Sequence, residues 1–211
     1  MSEAWRYGSL PAARPRSDGG HSRSAILHTA ASLATVDGLE DVSFGTLGLT
    51  IGMRRAELRA MFGSEQGLQL AVVDEAARIF TEEVVRPALA APAGLPQLTA
   101  LCEAFIDYLE RGTFPGGCLM SGIALELGPG DGPVRELMDE FQSRFGALIR
   151  DFVAAALTRK ELPTGEDPDR LAYELNGIML ATDTNFVEHD DPAVLELARQ
   201  IVRSRLGVGG G

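Results

Sequence analysis

From residue 22 onward, apolar residues recur every three or four positions, and Gly, Pro, Ser and Asp interrupt that rhythm at short intervals. No other feature constrains the chain so much, because a period near 3.6 lines one face of a helix and cannot line one face of a strand. Ile26, Leu27, Ala30, Ala31, Leu33 and Ala34 predict a first helix that ends by Gly38. Ser43 suits an N-cap, since its hydroxyl can accept an otherwise orphaned backbone N–H, and Leu47 and Ile51 share a face behind it. Gly52 ends this second helix. A third runs from about Arg54 to Met61, closed by Gly63, and Ser64 opens a long fourth that reaches about Arg86, before Pro87. After the break ALAAPAGLPQ, helical patterns occupy about 96–111, 118–128, 133–159, 168–187 and 192–206. Asp167-Pro168 and Asp191-Pro192 each read as a cap followed by proline in the first turn. Gly128 to Pro133 reads as a turn. β-Branched runs such as Ala71-Val72-Val73 sit inside helical stripes, so the expected fold is all-α. The expected division is a flexible arm (1–22), a three-helix head (23–66), a helical body (67–206) joined to it by the long fourth helix, and a disordered tail (207–211).

Composition narrows the function. Hydrophobic residues make up 45% and charged residues 23% of 211, enough to build a core and too apolar for wholesale disorder. The net charge is -11, so contact with a polyanion must come from a local patch. Residues 1–62 supply one: they hold seven Arg against six Asp and Glu, and the remainder carries all of the chain's net negative charge. Two cysteines, Cys102 and Cys118, make neither a disulfide framework nor a four-ligand zinc site. No signal-peptide core or membrane-length apolar run is present, and a cytoplasmic setting is expected.

The stretch LGLTIGMRRAELRAMF, residues 47–62, concentrates three arginines on a helix introduced by a glycine turn. A helix-turn-helix needs a small residue where the helices cross, here Gly48, and a turn residue tolerant of positive φ, here Gly52. Leu47, Ile51, Met53 and Leu58 are the apolar clamps. The second helix would then offer Arg54, Arg55, Glu57, Arg59 and Ala60 to a DNA major groove, where arginine pairs with guanine or phosphate. The same pattern also fits a helical hairpin with a solvated charged face.

The context separates the two. Residues Ile26-Leu27-His28-Thr29-Ala30-Ala31-Ser32-Leu33-Ala34, Gly38 and Ser43, followed by Leu47 to Leu68, resemble the TetR family of bacterial transcriptional regulators. Its pattern is ILxAAxxLF, Gly, Ser/Thr, then IAxxAGVSxxxLYxHFxSKxxL. The spacing holds without a gap, and the helical body also matches. The family's Ser/Thr, Tyr, His and Lys stand here as Arg54, Arg59, Met61 and Glu65. The apolar and glycine positions are retained while the DNA-facing ones are rewritten. The resemblance implies double-stranded operator DNA as a partner, contacted through Ser43, Arg54, Arg55, Ala56, Glu57, Arg59 and Met61. It further implies a homodimer through helices 168–187 and 192–206, whose half-sites would lie about 34–36 Å apart. The stripes Leu171, Leu175, Ile178, Met179, Ala181, Thr182 and Val194, Leu195, Leu197, Ala198, Ile201, Val202, Leu206 would serve that dimer and the subunit's own core.

The resemblance also implies a small-molecule effector held in the body, and a mostly apolar lining favours an apolar or aromatic one. Phe105, Tyr108, Cys118, Leu119, Ile123, Phe141, Phe145, Met179 and Asp183 are the candidate lining. Cys118, near a helix start, is read either as a low-pKa sensor thiol or as an inert buried one. The motifs of hydrolases, P-loop enzymes, zinc peptidases and dinucleotide enzymes are all missing. Glu188-His189-Asp190-Asp191 reads as a polar turn and cap, not a metal site. No enzyme activity, metal or cofactor is expected. The leading expectation is a ligand-released repressor; the alternative is a dimeric small-molecule-binding protein whose head does not read DNA.

Overall fold

Each expected cap closes a helix in the computed structural model, which describes residues 22–126 and 132–208. Ser22 accepts from Ala25 N–H and starts α1, Arg23–Asp37. Ser43 and Thr46 form a reciprocal capping box at α2, Phe44–Ile51, which is followed by α3, Arg55–Phe62. Ser64 caps α4, Glu65–Phe80. The remaining helices are α5, Arg86–Ala90, α6, Leu95–Glu110, α7, Leu119–Glu126, α8, Pro133–Thr158, α9, Pro168–His189, and α10, Pro192–Leu206. Among the described residues there is no strand. The expected arm lies outside the described residues except for its last residue, Ser22; most of the Gly128–Pro133 turn and the last three residues of the tail also lie outside them.

The fourth helix does not stop at Arg86. Thr81–Val85 forms a π-helical turn, with Arg86 N–H donating to the Thr81 carbonyl, and α5 carries the helical path to Ala90. Pro87 was expected to end it. A proline normally collides with the carbonyl four residues earlier; the wider π turn moves that register, and Val84, Val85 and Ala88 stay buried.

The helix α4 is the common spine. It packs on α1 and α3 in the head and on α7 and α8 in the body. Ile26, Leu27, Ala30, Leu58, Leu68 and Val72 share one core on the head side, and Ile79 and Phe80 continue it into the body. Burial of the larger of these, the Leu, Ile, Val and Phe side chains, contributes roughly 1.5–3 kcal/mol each. The helices α6 and α10 are fastened by Arg199, which reaches Glu103 at 3.3 Å, Asp107 at 2.8 Å and Glu110 at 2.6 Å.

Candidate DNA-reading head and effector cavity

The head derives its geometry from two glycines. Gly52 takes φ 73, ψ 24, the left-handed conformation that ends α2 and turns the chain toward α3. A Cβ on Gly48 would lie 2.6 Å from the Met53 carbonyl oxygen, so α2 and the turn meet backbone to backbone. Leu47 and Leu58 are wholly buried, while Ile51 and Met53 pack half-buried beside them. Arg23 sits over the Phe62 ring at 5.1 Å, tying the start of α1 to the end of α3.

This arrangement leaves Arg54, Arg55, Ala56, Glu57, Arg59 and Met61 all exposed, with Ser43 half-buried. They are not equally free. Arg54 is the N-cap residue of α3, not its first turn. The Glu57 carboxylate accepts its backbone N–H at 2.9 Å and its guanidinium at 2.7 Å. Arg54 thereby holds the Glu57 pKa below the usual carboxylate range. The Arg55 guanidinium lies across the α2 backbone at Gly45, where a Cβ would strike it. The Ser43 hydroxyl accepts Thr46 N–H at 3.1 Å. Glu65, which stands where the resemblance has lysine, accepts Phe44 N–H at 3.3 Å and so serves the start of α2.

In the body, α4, α6, α8 and α9, with the Cys118 turn and α7, surround a cavity of about 540 Å³. Five of the expected lining residues meet there: Phe105, Cys118, Phe141, Phe145 and Met179. Phe80 joins them, edge-on to Phe141 at 5.4 Å and to Phe145 at 5.3 Å. The other four stand outside the wall. Tyr108 packs behind it against Phe80 and Phe114, and Leu119 and Ile123 are wholly buried core. Asp183 is buried and accepts the Cys118 N–H at 3.0 Å; burial pushes its pKa up to about 6.

The cavity also has a polar rim outside the expected apolar lining: Gln142 and Arg150 on α8, and Asp169, Tyr173 and Asn176 on α9. The spacing carries the signal: Gln142, Gly146 and Arg150 recur every four residues beside Phe145, and Asp169, Tyr173 and Asn176 lead to Met179 in steps of four, three and three. Arg150 and Asp169 approach to 3.5 Å.

Cys118 is not an activated thiol. It lies just before α7, but burial and the nearby Asp183 charge push its pKa up to about 11. Desolvation outweighs the helix N-terminus at this position.

The cavity and the head share supports. The Cys118 end of α7 is held by Asp183 of α9, and the loop before it by Gly116 N–H on Thr35 Oγ1 of α1 at 3.1 Å. At the far end of α7, Glu126 accepts Leu39 N–H at 3.0 Å and Glu40 N–H at 3.2 Å, in the loop between α1 and α2.

The outward face of the last two helices is unpaired within the subunit. Leu171, Leu175, Met179 and Thr182, and Leu195, Ala198, Val202 and Leu206, turn inward. Tyr173, Val187, Leu197 and Ile201 remain exposed, Leu197 by 56% and Ile201 by 43%, with Gly177, Ala181 and Thr184 among them.

A helix-turn-helix carried on a hollow, all-helical body is the architecture of a ligand-responsive class of DNA-binding regulators. Residues 94–202 match the family model for the tetracyclin repressor-like C-terminal domain. The chain belongs to this TetR family. The sequence matches no curated protein. Among solved structures it is similar to a TetR transcriptional regulator from Chloroflexus aurantiacus, with TM-score 0.78, 22% identity, and 86% of this chain and 92% of that one covered. It is also similar to AibR in complex with isovaleryl coenzyme A and operator DNA, with TM-score 0.70, 21% identity, and coverage of 85% and 95%. A third is a CifR cysteine mutant complexed with 26-bp double-strand operator DNA, with TM-score 0.75, 21% identity, and coverage of 91% and 98%. At these identities the likeness speaks for the fold. No helix among the described residues is long and apolar enough to cross a membrane.

Proposed function

We propose that the chain is a cytoplasmic, dimeric repressor of transcription, not an enzyme, that binds operator DNA through its head and is released by a small apolar or aromatic effector. The observation that carries this reading is the shared spine. One helix, α4, supports the recognition face at one end and places Phe80 in the cavity wall at the other. A molecule that fills the cavity acts on the same helix that sets the position of the head.

DNA contact rests on Ser43, Arg54, Arg55, Ala56, Glu57, Arg59 and Met61, with head, body and arm divided as the sequence suggests. The effector places its apolar or aromatic body among Phe80, Phe105, Phe141 and Phe145 and turns any polar end toward the Gln142–Arg150–Asn176 rim. Such a lining, apolar with a few placed polar groups, is the usual make-up of a small-molecule site. A second copy covers the Leu197–Ile201 face, where one apolar surface runs across both terminal helices; a two-fold pair presents two heads to two half-sites. Effector binding shifts the population toward a dimer whose heads no longer fit the operator together.

The decisive measurement is a gel-shift titration with DNA from upstream of the chain's own gene, at several salt concentrations. Specific binding that weakens steeply with salt supports the reading. If no genomic fragment is bound specifically even at low salt, the chain is instead a dimeric small-molecule-binding protein whose head does not read DNA. The ion pair that occupies Arg54 is the observation behind that second reading.

A further inference from the structure

The helix α3 presents its eight residues as four rows of two, each row four residues apart and so stacked on one side. Leu58 and Phe62 form the inward row, the first wholly buried and the second half-buried against α1. Opposite them lie Ala56 and Ala60, the outermost row. Arg55 and Arg59 run along one flank, Glu57 and Met61 along the other, and all six are exposed. Two methyl groups at the crest let the helix settle close to a groove floor. The flanks on either side of that crest are chemically opposite, donors on one and an acceptor on the other.

The acceptor flank is built, not incidental. The Arg54 backbone N–H and guanidinium each occupy one lone pair of Glu57, one on each carboxylate oxygen. They fix the side chain's position and keep it ionised, while each oxygen retains a second lone pair. The pair is neutral as a unit, so it can enter a groove between phosphates that would repel a lone carboxylate. Arg59, on the donor flank, has no ion pair among the described residues and is free to donate.

We propose that Glu57 reads a cytosine in each half-site, accepting from its exocyclic N4 amino group, while Arg59 reads a guanine from the opposite flank of α3. An ionised carboxylate only accepts. In the major groove, guanine offers N7 and O6 acceptors and thymine an O4 acceptor, all of which repel it. Adenine offers N6–H but sets the N7 acceptor beside it. Cytosine alone presents a donor without an adjacent acceptor on the same base. The assignment rests on the reading of the head as a DNA-binding element and goes beyond it by naming the base and the residue.

The test is selection from double-stranded DNA with a randomised centre, run in parallel on the full-length chain and on Glu57→Gln. Affinities for the enriched sites are then titrated at one fixed salt concentration. The unaltered chain is expected to enrich a cytosine at one position of each half-site. Glutamine pairs with adenine N6 and N7, so Glu57→Gln should move that one position to adenine. Roughly a tenfold preference should be exchanged at that position with the other positions keeping their bases, while affinity for random DNA rises modestly because the Arg54 charge loses its neutralising partner. If both proteins enrich the same base at every position, Glu57 is not a reader, and the regulator reading stands without it. If Glu57→Gln weakens all sites equally, Glu57 only positions Arg54, and the proposal fails. If the unaltered chain enriches no motif, the DNA-binding reading falls and this inference with it.

Discussion

The Asp183 carboxylate accepts the Cys118 backbone N–H at 3.0 Å across 65 residues of sequence. A side chain of α9 thereby caps the turn into α7. It acts where a local Ser or Asp would ordinarily satisfy the orphaned donors. Gly117, at φ 84, lies against the same carboxylate so closely that a Cβ would overlap it. The terminal helix bearing the proposed dimer face is thus fixed to the cavity wall through one buried acid.

That acid carries a pH signature. Burial raises its folded pKa to about 6 from the ordinary 3.8 of an aspartate, so the folded state holds this proton more tightly than the unfolded chain. Its contribution to stability is complete below pH 3.8 and is lost as pH rises through about 6, a change of about 3 kcal/mol. Asp183→Asn keeps an acceptor for Cys118 N–H and removes the titration. Urea denaturation from pH 4.5 to 7.5 should show the variant gaining stability over the parent as pH rises. Parallel curves for the two proteins would mean that Asp183 does not titrate in this window.

Gly146 lines the cavity on α8 in an ordinary helical conformation, with only the Arg150 guanidinium within 4 Å of where a Cβ would stand. Gly146→Leu should stabilise the helix by about 0.5–1 kcal/mol and fill space beside Phe145. The expected result is a higher melting temperature together with loss of binding of an apolar fluorescent probe such as anilinonaphthalene sulfonate. Undiminished probe fluorescence would place the probe site elsewhere.

Leu197 and Ile201 are exposed one turn apart on α10. Leu197→Glu puts a charge in the centre of the face proposed to meet a second copy. Sedimentation should then report a monomer with unaltered helical circular dichroism, because more than half of the side chain faces away from its own subunit. A variant that sediments like the parent removes this face from the dimer.

Arg55 and Arg59 share a flank of α3 in different surroundings. Arg55 lies back over Gly45 of α2, a posture suited to the phosphate backbone. Arg55→Ala should lower affinity for all DNA alike and reduce the slope of log affinity against log salt by about one. Arg59→Ala should cost about 1–3 kcal/mol on the operator and less on random DNA. Operator affinity untouched by both changes would show that α3 is not the recognition helix.

The architecture was readable where the cause is local. Ser43, Ser64, Asp167 and Asp191 cap their helices, and Gly38, Gly52 and Gly63 end theirs at positive φ, because each depends on hydrogen bonds within a few residues. Pro87 misled because the relief came from a π turn whose presence no propensity announces. The cavity was half-readable. An apolar stripe says that Tyr108 and Phe105 turn inward, but not that Phe105 meets open space while Tyr108 meets Phe114.

Residue order alone settles the all-helical scaffold, the ends of most helices and the glycine turn that displays α3, since backbone closure and helical period act over a handful of neighbours. Tertiary packing settles the rest. It selects which half of each terminal stripe faces outward, leaves a hollow between α4, α6, α8 and α9, sets Asp183 at the start of α7 and Glu126 against the head. Each of these depends on side-chain volumes and charges summed over helices far apart in sequence, and no local pattern encodes that sum.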